Sequence, residues 1–248
     1  MKKWLALAAT AVLGASLLIS GCGSSTNDTS SSSAGSSKAE VLKVAANPVP
    51  HAEILNHIKP LLAKEGVDLQ IIEFTDYIQP NMALSSKEVD ANFFANVPYQ
   101  NNFNKDHGTN FVSFAPVHIE PLAIYSQKIK DLKDLPNGAK VAIPSDPTNS
   151  ARALLLLQSA GLVTLKDPTG LTNTPFDVTS NPKNIQITEL EAAQIPRSIQ
   201  DLDAAVINAN YALPAGLNPT KDGLFVEKAD SPYANLLSVN PGDENKPA

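Results

Sequence analysis

Apolar positions recur along this chain in two successive strand-and-helix sets. Residues 41–46 form a short apolar run that reads as a buried strand. After the turn Asn47-Pro48-Val49-Pro50, the residues Ile54, Leu55, Ile58, Leu61 and Leu62 fall on one helical face, and Gly66 closes it. Pro60 lies inside that pattern and is expected to kink or shorten the helix. A second strand follows at 69–74, a helix near 81–87, and strands at 91–94, 111–114 and 122–126. The pattern then starts again, with a strand at 140–143, a helix over 151–160 ending at Gly161, and a strand at 185–190. A short helix at 196–201 and strands at 204–207, 224–227 and 235–239 complete it. Two such sets imply an α/β chain with two lobes joined near 121–128, with ligands expected at the carboxyl ends of strands between the lobes.

The first 38 residues break this rhythm. Lys2 and Lys3 precede an uncharged apolar run from 4 to 19, the layout of a secretory signal and slightly short for a membrane span. The run ends in Ile19-Ser20-Gly21-Cys22, which resembles a bacterial lipobox with Ile19 in place of the usual leucine. Cys22 is the only cysteine, so the fold has no internal disulfide, and lipidation of Cys22 is the expected use of its sulfur. Residues 23–38 are Ser-rich with no bulky apolar side chain and read as a flexible tether. The division expected is 1–21 signal peptide, 22–40 lipidated cysteine and tether, 41–122 first lobe, 123–225 second lobe, and 226–248 returning toward the first. The folded part then lies outside the cytoplasm, held to a membrane by its lipid anchor.

Composition narrows the function. Of the 248 residues 43% are hydrophobic and 18% charged, enough for a core of ordinary size. Removing Lys2 and Lys3 leaves 17 basic against 25 acidic groups, a net charge of −8. An acidic surface without an arginine cluster argues against nucleic acid. No GxSxG, P-loop, GxGxxG or HExxH motif is present. His51, His57, His107 and His118 read as surface or capping residues, so neither a metal nor a cofactor is expected. Glu189 and Glu191 share a strand face and read as a solvated edge rather than an acid–base pair.

Two features suit a binding site. Arg152 follows Asp146-Pro147-Thr148, which can cap and start a helix. A cation in the first turns opposes the helix dipole unless an anion lies between them, and a ligand carboxylate would be such an anion. An exposed arginine, or one paired with an internal acid, fits the spacing equally well. The second feature is aromatic. Phe93 and Phe94 end a strand that runs into a turn, face opposite sides, and place one ring in the core and one toward a cleft. Tyr77 and Tyr99 also follow strand ends.

These stretches resemble the NlpA family of lipoproteins, the methionine-binding components of ABC importers. The matching segments are EFTDYIQPN at 73–81, DAN at 90–92, AIPSDPTN at 142–149 with Arg152, ELEAAQIPRS at 189–198, AVIN at 205–208, and DSPY at 230–233 with Asn235. The resemblance implies a type II periplasmic-binding-protein-like fold closing on L-methionine or a close analogue. It also implies a monomer that delivers its amino-acid ligand to an ABC permease and its ATPase, with no catalysis of its own. It places the ligand carboxylate on Arg152, the polar head on Asn208 and Asn235, and Tyr77, Phe94 and Tyr99 around the ligand. The family's usual Gln-His pair is replaced here by Ala95-Asn96. Asn96 keeps a hydrogen-bonding group at the site but shortens it, which opens the pocket to another amino acid or a dipeptide. Family members also continue into a terminal helix, which is expected to begin where this sequence stops. A metal-binding lipoprotein, a surface lipoprotein outside transport and an envelope hydrolase using Glu189 or Glu191 are the rival readings.

Overall fold

In the computed structural model, residues 39–228 and 232–246 are described. The expected signal segment, Cys22 and most of the tether lie outside them. Among the described residues no helix is long and apolar enough to cross a membrane.

The first elements are β1 (Glu40–Ala46), α1 (Glu53–Lys64), β2 (Val67–Glu73), α2 (Gln79–Ser85), β3 (Ala91–Asn96), α3 (Val97–His107) and β4 (Val112–Ile119). The chain then enters a second sheet with β5 (Ala123–Tyr125), β6 (Lys140–Pro144), α4 (Pro147–Ser159), β7 (Thr164–Leu165), β8 (Val178–Ser180) and β9 (Gln186–Leu190). It continues through α5 (Ile195–Ser198), β10 (Ala204–Ile207), α6 (Ala209–Ala212), α7 (Pro219–Asp222) and β11 (Phe225–Val226), and returns as β12 (Ala234–Val239).

One five-stranded sheet has the order β2-β1-β3-β12-β4 and the other β11-β5-β10-β6-β9. In the first, β1 runs parallel to β2 and β3, while β12 pairs antiparallel with β3 and β4. Each sheet is covered on both faces. Val44, Ala46, Leu69 and Phe93 point to the face covered by α1, and Ala45 and Phe94 to the face packed with Leu84, Tyr99 and Phe103. In the second sheet Val141, Ile143 and Val206 pack on Leu154 and Leu157 of α4, and Ala142, Ala205 and Ile207 pack on Ile195 and Ala212. Strand residues of alternating direction thus feed two cores per lobe. The architecture is a two-lobed α/β fold.

Three local expectations fail. Pro60 does not shorten α1, which runs on to Lys64; the helix is exposed on that side, so the missing N–H lies on the solvated face. Leu61 is exposed rather than part of the buried face. Residues 97–107, read only as a turn after β3, form α3. Its signals were present: Asn96 caps it by accepting from the Tyr99 amide at 3.0 Å, Pro98 sits in the first turn, and Gly108 ends it with a left-handed φ of 66°.

Leu154 is fully buried at the centre of the second lobe. Leu154→Ala is expected to lower unfolding free energy by about 2–5 kcal/mol, read from the midpoint of a urea titration. A loss under ~1 kcal/mol would show that this core relaxes around the cavity.

Candidate functional site: a cavity between the lobes

The chain crosses between sheets twice, after Ile119 and after Val226. Beside these crossings the carboxyl ends of β3 and β10 and the amino ends of α3 and α4 converge. They surround a small cavity lined by Tyr77, Phe94, Ala95, Asn96, Tyr99, Glu120, Asn149, Arg152, Asn208, Ala209, Asn210 and Asn235. All seven ligand residues expected from the sequence lie around this one cavity.

One wall is aromatic. The Tyr77 and Phe94 rings stack at 5.9 Å, and Tyr99 meets each of them edge-on at 5.7 and 5.8 Å. Phe93 points the other way, into the core against His51. Burial pushes the phenols of Tyr77, Tyr99 and Tyr211 well above their ordinary values, so they stay protonated and act as donors. Tyr99 donates to the Tyr77 carbonyl at 2.7 Å. Tyr77 donates across the cleft to Asn210 Oδ1 at 2.6 Å, and Tyr211 to the Thr75 carbonyl at 3.2 Å. The two lobes are therefore latched around the cavity, in a closed arrangement.

The polar wall carries charge of both signs. Arg152, two turns into α4, is 5% exposed. Its Nε donates to Glu227 Oε1 at 2.9 Å, and its Nη2 to Glu227 Oε2 and to the Glu120 carbonyl. The guanidinium also lies 4.3 Å from the centre of the Tyr233 ring. The internal acid considered as a partner for Arg152 is thus Glu227, and the arginine faces the cavity as well. Asp146 caps α4 by accepting from the Asn149 amide at 3.0 Å. Asn149 Oδ1 in turn accepts from Asn208 Nδ2 at 2.8 Å, which leaves Asn208 Oδ1 buried without a partner.

Among the lining residues not expected from the sequence, which include Asn149 and Asn210, Glu120 is the charged one. His118 and Glu120 are two apart at the end of β4 and so share a face, a signal available from alternation alone. His51, expected at the surface, is 1% exposed and packs edge-on against Phe93 at 4.9 Å. His118 Nε2 lies 2.8 Å from Glu120 Oε1 and His51 Nε2 lies 2.9 Å from the same oxygen. Asn235 Nδ2 donates to that oxygen at 3.3 Å. Burial alone would raise the Glu120 pKa, but the hydrogen bond from His118, the contact with His51 and the charge of both rings outweigh it and hold the carboxyl down at about 2. Of the other histidines, His57 is exposed, and His107 stacks on Phe103 at 3.9 Å. Glu189 and Glu191 are exposed, with Glu189 accepting from Ser150 at 2.7 Å on edge strand β9.

A carboxyl whose folded pKa is depressed stabilises the fold above its unfolded pKa and loses that contribution as pH falls through the folded value. Glu120 should therefore contribute fully above about pH 4.5 and progressively less down to about pH 2. Urea midpoints measured across this window should fall less steeply with acid in Glu120→Gln than in the parent. Identical slopes would remove Glu120 from the acid response.

Comparison with known proteins places this geometry. The NlpA lipoprotein family matches residues 42–248. The D-methionine-binding lipoprotein MetQ of Salmonella typhimurium is 44% identical over 248 residues, covering 99% of this chain and 88% of that protein. A nutrient-binding protein from Burkholderia cenocepacia, solved bound to methionine, superposes with a TM-score of 0.80 at 48% identity, covering 83% of this chain and 87% of that one. A periplasmic substrate-binding protein of an ABC transporter from Coxiella burnetii also gives a TM-score of 0.80, at 44% identity, covering 83% and 87%. With its fold, its interlobe cavity and its sequence in agreement, this chain belongs to the NlpA lipoprotein family.

Proposed function

We propose that this protein is the substrate-binding lipoprotein of an ABC importer, that it captures methionine between its lobes, and that it performs no catalysis. The observation that carries the reading is the meeting in one cavity of a guanidinium, a carboxylate and an aromatic wall. An α-amino acid with an apolar side chain presents the three complementary groups. Its carboxylate lies toward Arg152 and the amino ends of α3 and α4, where anions are favoured. Its ammonium lies toward Glu120, the unpartnered Asn208 Oδ1 and Asn235. Its thioether lies along Tyr77, Phe94 and Tyr99, where a polarizable sulfur packs well. Asn96 contributes its amide nitrogen, because its oxygen is committed to the α3 cap.

Contacts from both lobes to one ligand exist together only in the closed form, so binding shifts the population toward closure. The closed monomer then docks on a permease whose ATPase partner supplies the energy. Anchoring through acylated Cys22 keeps the protein at the membrane where that permease lies. The methionine-bound relative and the family's lipoprotein character support this assignment.

Calorimetric titration tests it. Micromolar or tighter binding, about −8 kcal/mol or more favourable, is expected for methionine, with the L and D forms titrated separately alongside other amino acids and dipeptides. Arg152→Lys keeps the charge but loses the fork and should weaken binding about tenfold or more, while Arg152→Ala should cost about 2–5 kcal/mol. Thermal melts of the same variants separate loss of binding from loss of fold. Unchanged affinity in a folded Arg152→Ala protein would remove the arginine from the site. Binding of a dipeptide in preference to methionine would move the specificity to Ala95-Asn96.

A further inference from the structure

Beside the cavity, sharing with it only Glu120, the fold gathers a second set of chemically capable groups. His51 comes from the turn at Pro48–Ala52 after β1, His118 from the end of β4, and Glu120 from the crossing between lobes. Each offers one ligating atom, and the three atoms lie within 4.8 Å of one another. Both imidazole Nε2 atoms approach the same carboxylate oxygen. His51 Nε2, although 2.9 Å from it, is not aligned for a hydrogen bond, and the Nδ1 atoms of both rings have no partner. A side chain 99% buried is thus held against a carboxylate without the bond that would account for its burial.

The rings are fixed in place. His51 and His118 lie 5.2 Å apart, and Phe93 meets both edge-on at 4.9 and 5.5 Å. Once an incoming ion has displaced any extra ring protons, two imidazoles and a carboxylate form an N, N, O donor set with one negative charge. That set suits borderline divalent transition metals and is poor for calcium or magnesium, which take oxygen ligands. Tetrahedral coordination at about 2.0–2.2 Å separates ligand atoms by roughly 3.3 Å. To admit an ion the two short contacts to Glu120 open by about half an ångström, and the two imidazole nitrogens, within 4.8 Å of one another, draw toward the same separation. Each ring would then carry its proton on Nδ1, and that change breaks no existing bond there. The nearest cation, Arg152, reaches the Glu120 carbonyl at 2.8 Å, but its charge is balanced by Glu227.

We propose that His51, His118 and Glu120 form a binding site for a divalent transition-metal ion of the zinc type, opening on the amino-acid cavity, and that ion and amino acid exclude one another. The site stands on its own geometry; only the exclusion rests on the reading of Glu120 as the ammonium partner.

The test is titration of the full chain, stripped of metal and amino acid, with zinc chloride alone. One ion per chain should bind with micromolar or tighter affinity. His118→Phe retains the ring packing and removes the ligand, and should weaken binding at least tenfold. His57→Ala, which removes an exposed histidine, should leave it unchanged. No zinc binding below about 100 μM in the parent, or binding unaltered by His118→Phe, would overturn the site. Methionine titrated at saturating zinc should bind at least tenfold more weakly than without it, and unchanged methionine affinity would overturn the exclusion. A chain that binds zinc through His118 but no amino acid would support the metal site and overturn the transport reading instead.

Discussion

Much of this structure depends on a buried guanidinium that cannot be left alone. Arg152 sits two turns into α4, where the helix dipole opposes a positive charge, and it is almost fully removed from water. Its solution is to bind the two segments by which the chain crosses between lobes. One is represented by the Glu120 carbonyl, before β5, and the other by the Glu227 carboxylate, after β11. A single side chain thus neutralises itself, joins both crossings and faces the cavity. Removing it would leave Glu227 with an unpaired charge in a partly buried site, so loss of binding and loss of stability are coupled at this position.

The cavity inherits its polarity from this arrangement. The amino ends of α3 and α4 approach from opposite lobes, and each is already capped by a side chain from its own chain, Asn96 and Asp146. With the amides held by these caps, Tyr99 in the first turn of α3 and Arg152 in the second turn of α4 are the side chains that line the cavity. Next to Arg152, whose guanidinium holds the Glu120 carbonyl, the Glu120 carboxylate is kept ionised by two histidines. The positive and negative walls are therefore built by different elements and do not neutralise one another directly. A dipolar solute fits between them better than an ion of one sign, whereas a cation fits only the Glu120 side.

The strand-and-helix rhythm made most of the fold legible, because apolar runs in a parallel sheet are covered on both faces and stand out in any window. Phe93 and Phe94 illustrate it: adjacency on a strand required one ring in the core and one toward the cleft, and the structure separates them that way. Helix α3 was harder to read because it includes three asparagines, the exposed Asn101 and the half-buried Asn102 and Asn104, whose propensity argues for a loop. Capping by Asn96 and packing of Tyr99 and Phe103 prevail over that propensity. His51 and Glu120 were invisible as a pair because they are 69 positions apart in sequence, and only the pairing of β12 with both β3 and β4 sets the width that brings them together. The partner of Arg152 was invisible for the same reason.

Position 96 shows how fold and specificity share one side chain. Asn96 stands where the resemblance to the family implies histidine, and an imidazole reaches farther into a pocket than an amide. Asparagine is among the best helix caps, and here its oxygen holds the Tyr99 amide at 3.0 Å. Tyr99 is also one of the three aromatic rings around the ligand space. What Asn96 gives up in reach it returns by fixing the start of α3 and, through it, the tyrosine ring. The consequence of this substitution for a ligand is therefore indirect as well as direct: a shorter polar arm leaves more room, while a firmly capped helix leaves less freedom for the aromatic wall to adapt to whatever fills it.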